Sequence, residues 1–198
     1  AALVVAGLWA AFASGAPTGV DRDVYSALHG SRGSAETGFA RHVTTLGNGL
    51  AMAVALGLLC LATWLSWRRW EPLAVTAMAL ALGEAVSSAV KAAAGRSRPP
   101  STGWITSAGG NSFPSGHTTA ATAGYLALAM SVAVLLTSVR LRVLVISAAG
   151  GLVLAIGWTR IELGVHWPTD VLAGWAVGTA AACVALACWV RAAPTLRP

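Results

Sequence analysis

Charge is scarce in this chain. Of its 198 residues only 10% are charged, against about 25% in a typical soluble domain. Mean hydropathy is +0.69. A soluble globular domain is excluded, and a membrane protein is implied. Lys91 is the sole lysine among 13 basic residues, and only seven acids oppose them, for a formal net charge of +6. No basic run interleaved with aromatics lies on a polar stretch, so this excess does not point to nucleic acid. Cysteine is also sparse. Cys60, Cys183 and Cys188 fall within apolar stretches and lack zinc-ligand spacing, so they read as small apolar filler. Neither an internal repeat nor a disordered tail is visible. The length suits one domain over residues 1–198.

What the chain does have is long apolar stretches. A span needs about 20 apolar residues, and six stretches qualify as helices: about 1–14, 47–67, 72–94, 115–139, 141–163 and 168–191. The chain opens at Ala1 inside an apolar run, which reads as a truncated first span rather than a signal-peptide remnant. The expected fold is all-α, a polytopic membrane helical bundle of about six transmembrane helices. Within 15–46, Val24 with Leu28, and Phe39 with Val43 and Leu46, recur at helical spacing. That predicts short amphipathic helices at the membrane surface between the first and second spans. Residues 95–114 are rich in Gly, Ser, Thr and Pro and read as an irregular loop, which belongs at an interface because lipid does not tolerate free backbone polar groups.

Short-loop cations set the orientation. Arg68 and Arg69, Arg140 and Arg142, and Arg191 with Arg197 fall on one side, taken as cytoplasmic. The remaining polar segments then face the extracytoplasmic side of the cell membrane.

Three short stretches share that face. The first is K-x6-R-P, set by Lys91, Arg98 and Pro99. Arg98 can grip two phosphate oxygens with its fork while Lys91 acts as a point charge; alternatively both are positive caps at a helix end. The second is Pro114-Ser115-Gly116-His117. Ser115 suits an N-cap, Gly116 lets backbone approach a ligand, and the free N–H groups of a helix start attract an anion; the plainer reading is a capping turn with an interfacial histidine. The third is R-x5-H-x3-D, set by Arg160, His166 and Asp170. Pro168 suits the first helical position, and the spacing lets Asp170 accept from one ring nitrogen of His166 and aim the other. A membrane-interface belt would explain Trp158, Trp167 and Trp175, but not the His–Asp pair.

Taken together, three cations, two histidines and a carboxylate resemble the type 2 phosphatidic acid phosphatase superfamily, the integral-membrane lipid phosphate phosphatases. The resemblance covers the three motifs and the six-span layout. It implies His166 as the nucleophile that forms a phosphohistidine, Asp170 as its orienting partner, and His117 as general acid and then base. It also implies Lys91, Arg98, Arg160, Ser115 and the Gly116 N–H as phosphate ligands. One departure is Thr159, where the family commonly has Ser before the third-motif Arg; Thr keeps the hydroxyl. No cofactor is expected, and no metal, since only Asp170 and Glu162 lie near the motifs.

Glu84, seven residues before Lys91 on roughly the same helix face, is either functional or a structural partner for an arginine or hydroxyl on a neighbouring helix. Pro99 and Pro114 stiffen the approaches. Arg96 and Glu162 read as solvated loop or rim charges, and Trp104 as a loop anchor. The expected partners are the bilayer and a lipid phosphate: a polyprenyl pyrophosphate, phosphatidylglycerol phosphate or phosphatidic acid, with the first favoured by family analogy. A lipid phosphotransferase, a vanadium haloperoxidase, and a lipid-binding or translocating protein with a vestigial site are the alternatives; the apolar spans argue against the haloperoxidase, whose relatives are soluble. The sequence does not specify oligomeric state.

Overall fold

A computed structural model describes residues 16–30 and 33–192. The expected first span, 1–14, and Arg197 lie outside the described residues. Seven α-helices make up the described chain, with no strand among the described residues. Two are short: α1 (Gly19–Leu28) and α2 (Ala35–Thr45). The other five are long: α3 (Gly49–Trp67), α4 (Glu71–Ala94), α5 (Gly116–Leu135), α6 (Val139–Glu162) and α7 (Pro168–Ala192). These run from 19 to 25 residues and are apolar enough to cross a membrane; at 1.5 Å per residue they extend about 28 to 38 Å, against a hydrocarbon core of about 30 Å.

The short helices are set by their caps. Thr18 and Asp21 form a reciprocal capping box at the start of α1, and Ser34 accepts from Thr37 N–H at 3.1 Å at the start of α2. Their inward residues are polar or small, Asp21 on α1 and Thr37, Ala40 and Thr44 on α2, while Val20 and Phe39 stay exposed. Both lie against the end of α6, α1 also against α7. Two short helices thus stand where helical spacing predicted them within 15–46.

α5 is the central helix. One of its faces packs Ala121, Tyr125 and Leu128 against Met52 and Leu56 of α3 and Val153 and Ile156 of α6. The other packs Ala123 and Ala127 against Val75 and Ala79 of α4 and Ala181, Ala182 and Ala185 of α7. Small residues bring α5 and α7 close. A side chain at Gly174 would meet Thr118 Cβ at 2.8 Å, and one at Gly178 would meet Thr122 Cβ at 2.5 Å. The Gly174-x-x-x-Gly178 spacing is the small-residue pattern by which membrane helices approach. It sets the start of α7 beside the start of α5, where Ser115 N–H donates to Asp170 C=O at 2.9 Å.

Candidate active site

The three stretches meet at one end of the bundle: the end of α4, the loop after it, the starts of α5 and α7, and the end of α6. α4 stops at Gly95, whose φ of 58° is the left-handed turn that glycine adopts at low cost. Arg98 is therefore not a continuation of the helix but lies on a loop that doubles back. There Arg98 Nε donates to Gly110 C=O at 3.1 Å, Nη2 to Gly109 C=O at 2.7 Å and Nη1 to Val165 C=O at 2.8 Å. The same Nη1 lies 2.9 Å from His166 Nε2.

That contact assigns the tautomer. A guanidinium only donates, so Nε2 of His166 carries the lone pair. The ring proton then sits on Nδ1, 3.2 Å from Asp170 Oδ2. Asp170 is sealed from solvent and held from several sides. Its Oδ2 also accepts from Trp167 N–H at 2.9 Å and from the Ser112 hydroxyl, while Oδ1 accepts from Arg96 at 2.8 Å. His166, in the loop before α7, is itself buried. Its pKa is lowered to about 4, mainly by desolvation and in part by Arg98 and Arg160, against the upward pull of Asp170. The imidazole is neutral at ordinary pH.

Lys91 Nζ donates to Pro114 C=O and, at 3.3 Å, to Asn111 C=O. Its stem runs 3.7 Å from where a side chain at Gly116 would begin, so the lysine flanks the start of α5. Ser115 occupies the N-cap position but does not cap; its Oγ accepts from Thr118 Oγ1 at 2.9 Å. The first-turn N–H groups of α5 thus receive no cap from the Ser115 side chain, an arrangement that suits an anion. Arg160 is 3% exposed, donates from Nη1 to Thr44 Oγ1 at 2.8 Å, and leaves its buried Nε without a partner among the described residues. His117, half-buried, lies with Nε2 2.5 Å from Asn48 Oδ1, and it is within electrostatic reach of Arg160, His166, Arg98 and Lys91.

Several expected positions sit elsewhere. Glu84 is on the outer face of α4 and accepts from Ser88 Oγ at 2.9 Å on its own helix; among the described residues it pairs with no neighbouring helix, and its charge reaches Lys91. Thr159 gives its hydroxyl to Ile156 C=O at 2.6 Å, within α6. Pro99 is buried and its carbonyl accepts from Trp104 Nε1 at 2.9 Å, which anchors the loop through Trp104 as expected. Trp158 remains partly exposed beside Phe39, in keeping with a belt. Trp167 and Trp175 do not: they turn inward to Ser97 C=O at 3.1 Å and Val153 C=O at 2.9 Å.

Two charges read as solvated are buried. Glu162 is 5% exposed and accepts from Thr37 Oγ1 at 2.9 Å, joining α6 to α2. Arg96 is fully buried and bridges Asp21 at 2.6 Å and Asp170 at 2.8 Å. The available signal was charge accounting: a buried Asp170 requires a cation, and an Arg98 reserved for phosphate cannot also serve it. Asp21, Asn48, Thr44 and Ser112 were missed as site neighbours, and single polar residues without a pattern carried no signal for them.

Fold and site together define a membrane-embedded helical protein with a cationic, two-histidine site at one end. The model of the PAP2 superfamily matches residues 72–194, more than half of the chain, and the protein belongs to that superfamily. The crystal structure of a transmembrane PAP2-type phosphatidylglycerolphosphate phosphatase from Bacillus subtilis is similar, with a TM-score of 0.82, 20% identity, and 96% of each chain covered. That of Aquifex aeolicus LpxE gives a TM-score of 0.64 and 21% identity, covering 86% of this chain and 96% of that one. No curated protein matches the chain in sequence.

Proposed function

We propose that this membrane enzyme hydrolyses a lipid phosphate or pyrophosphate through a phosphohistidine on His166, without a metal. The observation that carries the reading is the Arg98–His166–Asp170 alignment. It leaves a neutral imidazole with its lone pair on Nε2, beside a guanidinium that an incoming phosphate can take over. Nε2 attacks phosphorus, the bond from phosphorus to the leaving oxygen breaks, and His117 protonates that oxygen. Asp170 balances the charge gained by the ring. Water then attacks the phosphohistidine, His117 takes its proton, and inorganic phosphate leaves with the N–P bond electrons returned to His166.

Phosphoryl transfer asks mainly for positioning and for charge on the equatorial oxygens. Lys91, Arg98 and Arg160 supply it, with the Gly116 N–H and the hydroxyl proton that Ser115 keeps while accepting from Thr118. The unpartnered Nε of buried Arg160 favours an anion, since a desolvated cation is costly alone. Asp170 and Asp21 are engaged by other donors and offer no open carboxylate cage for a divalent ion.

The cation-rich turns at the opposite end, with Arg68 stacked 4.6 Å from Trp64 and Arg140 and Arg142 at the start of α6, support a cytoplasmic placement for that end and an extracytoplasmic one for the site. The substrate phosphate then sits at headgroup depth. Among lipids, polyprenyl pyrophosphate recycling is the reading favoured by analogy, ahead of phosphatidylglycerol phosphate and phosphatidic acid.

The test is phosphate release in detergent micelles containing EDTA, across those three lipids, with His166→Ala as control. Release that survives EDTA and vanishes in the variant is expected. Release that needs an added lipid acceptor would instead assign a phosphotransferase. No release with or without acceptor would leave a lipid-binding role.

A further inference from the structure

Arg96 is a fully buried cation held between two fully buried carboxylates from distant parts of the chain. Its Nη2 donates to Asp21 Oδ2 at 2.6 Å on α1, and its Nη1 donates to Asp170 Oδ1 at 2.8 Å on α7. Thr169 closes the arrangement. Its hydroxyl accepts from Arg96 Nη1 at 2.7 Å and donates to Asp21 Oδ1 at 2.7 Å, and its N–H donates to the same oxygen at 3.0 Å. Burial alone would raise the Asp21 pKa, but the hydrogen bonds from Thr18, Thr169 and Arg96 outweigh it and hold the carboxyl below its usual range.

A buried ionic chain is a weak source of stability, because desolvation offsets the attraction; its attested use is to fix one arrangement. Here the arrangement concerns Asp170. With Oδ1 committed to Arg96, only Oδ2 is left for His166 Nδ1, braced by Ser112 and the Trp167 N–H. Without Arg96 the carboxylate can turn about its own axis, and the ring loses its fixed proton acceptor.

We propose that Arg96 is a positioning residue for the hydrolysis: through Asp170 it fixes which nitrogen of His166 faces the phosphate, and through Asp21 it ties that orientation to the seating of α1. This rests on His166 being the nucleophile. Arg96 has no solvent exposure and both terminal nitrogens are engaged by protein, so it does not hold the phosphate.

Two features distinguish this from a plain structural brace. The effect falls on kcat with KM nearly unchanged, because Lys91, Arg98 and Arg160 still bind the phosphate. The pH profile also moves. The groups facing Asp170 are His166, Arg96, the Ser112 hydroxyl and the Trp167 N–H, with Asp21 beyond Arg96 and Lys91 and Arg98 within electrostatic reach. In Arg96→Gln, Asp21 loses the Arg96 hydrogen bond that helps hold its carboxyl below its usual range, and it takes up a proton at higher pH than before.

The experiment measures kcat and KM for lipid phosphate release from pH 4 to 9 in Arg96→Gln, Arg96→Lys, Asp21→Asn and the Asp21→Asn/Arg96→Gln double variant. Hydrogen exchange of segments 16–28 and 163–171 is followed in the same proteins. Arg96→Gln is expected to lose about 10²-fold in kcat, the scale of a small misplacement at a reacting centre, with its acid limb moved upward and exchange faster in both segments. The double variant restores the limb but not kcat. Arg96→Lys keeps the limb and loses less. Unchanged kcat and pH profile in a folded Arg96→Gln, or a loss in KM alone, overturns the proposal. If Arg96→Gln does not fold, Asp21→Asn decides: a several-fold kcat loss with faster exchange in 163–171 supports the link, and no change in either overturns it. A wild type that releases no phosphate overturns the phosphatase reading instead, while the exchange comparison still reads whether Arg96 joins the two segments.

Discussion

His166 is sealed among groups that leave it one orientation, with Asp170 and Arg98 on its two nitrogens and Arg96, Ser112 and Trp167 behind Asp170. His117 sits half-buried on the first turn of α5 and is steadied by Asn48 from the start of α3. The contrast suits the chemistry proposed for each. A nucleophile attacks one atom along one line, so orientation is worth more than freedom. An acid–base group must exchange protons with a leaving oxygen and then with water, and that calls for access. The same contrast recurs in the scaffold: α7 is locked to α5 through Gly174 and Gly178, whereas at Gly57 on α3 a side chain would meet nothing within 4 Å among the described residues.

The strongest way to break the comparison is at Asp170. Asp170→Asn keeps the volume but invites the wrong ring tautomer, and it strands Arg96 beside a single acid. We expect kcat to fall by about 10³- to 10⁴-fold, as when a triad carboxylate becomes an amide, with KM far less affected. A loss below tenfold would mean that His166 is not oriented through Nδ1.

On the other side, His117→Ala should cost about 10²- to 10³-fold on an alkyl phosphate, within the usual range for general acid–base groups. On an aryl phosphate, whose leaving oxygen needs no proton, the loss should be much smaller. His166→Ala should abolish both. Equal losses of His117→Ala on the two substrates would remove His117 from the acid role.

The scaffold contrast is tested by a pair of substitutions. Gly178→Val drives a side chain into Thr122 and the Thr119 carbonyl and should cost about 1 to 3 kcal/mol, seen as a lower thermal midpoint in detergent. Gly57→Val meets open space and should leave the midpoint unchanged. If Gly57→Val proved the more damaging, α3 rather than α5–α7 would be the rigid wall.

Burial of His166 makes a further, milder prediction. Its pKa lies at about 4, below the ordinary 6.5, so its neutral form favours the folded state. That contribution is complete above pH 6.5 and is lost as pH falls from there through about 4. The His166 acid limb of kcat/KM should therefore lie below pH 5, with little change between pH 7 and 5 from this group. A limb near 6.5 that persists in His117→Ala on the aryl phosphate would show a hydrated His166 ring.

How much of this was legible in the sequence follows from the same division. Apolar length wrote α3 to α7, and helical periodicity wrote α1 and α2. The motifs wrote the proposed reacting groups because each couples unusual residue types at short spacing. The supporting groups escaped, since their partners are distant in sequence: Asp21 lies 75 positions from Arg96, and Asn48 lies 69 from His117. Both precede residues 72–194, the part that matches the superfamily. Arg96 was misread because a loop position beside Gly and Ser suggests solvent, when Gly95 in fact turns the chain inward.

Asn48 offers the smallest and most discriminating test. Its side chain forgoes capping α3 and instead places Oδ1 2.5 Å from His117 Nε2. The amide oxygen accepts, so it stabilises a proton on that nitrogen. Removing the contact should free the ring without removing the acid. Asn48→Ala is expected to lower kcat by about threefold to tenfold, the kinetic equivalent of one modest hydrogen bond. The loss should shrink on the aryl phosphate, as for His117→Ala, and the double variant Asn48→Ala/His117→Ala should lose no more than His117→Ala alone. Additive losses would mean that Asn48 acts on the substrate directly rather than through His117, and the loosely held half of the site would then contain a second contact with the leaving group.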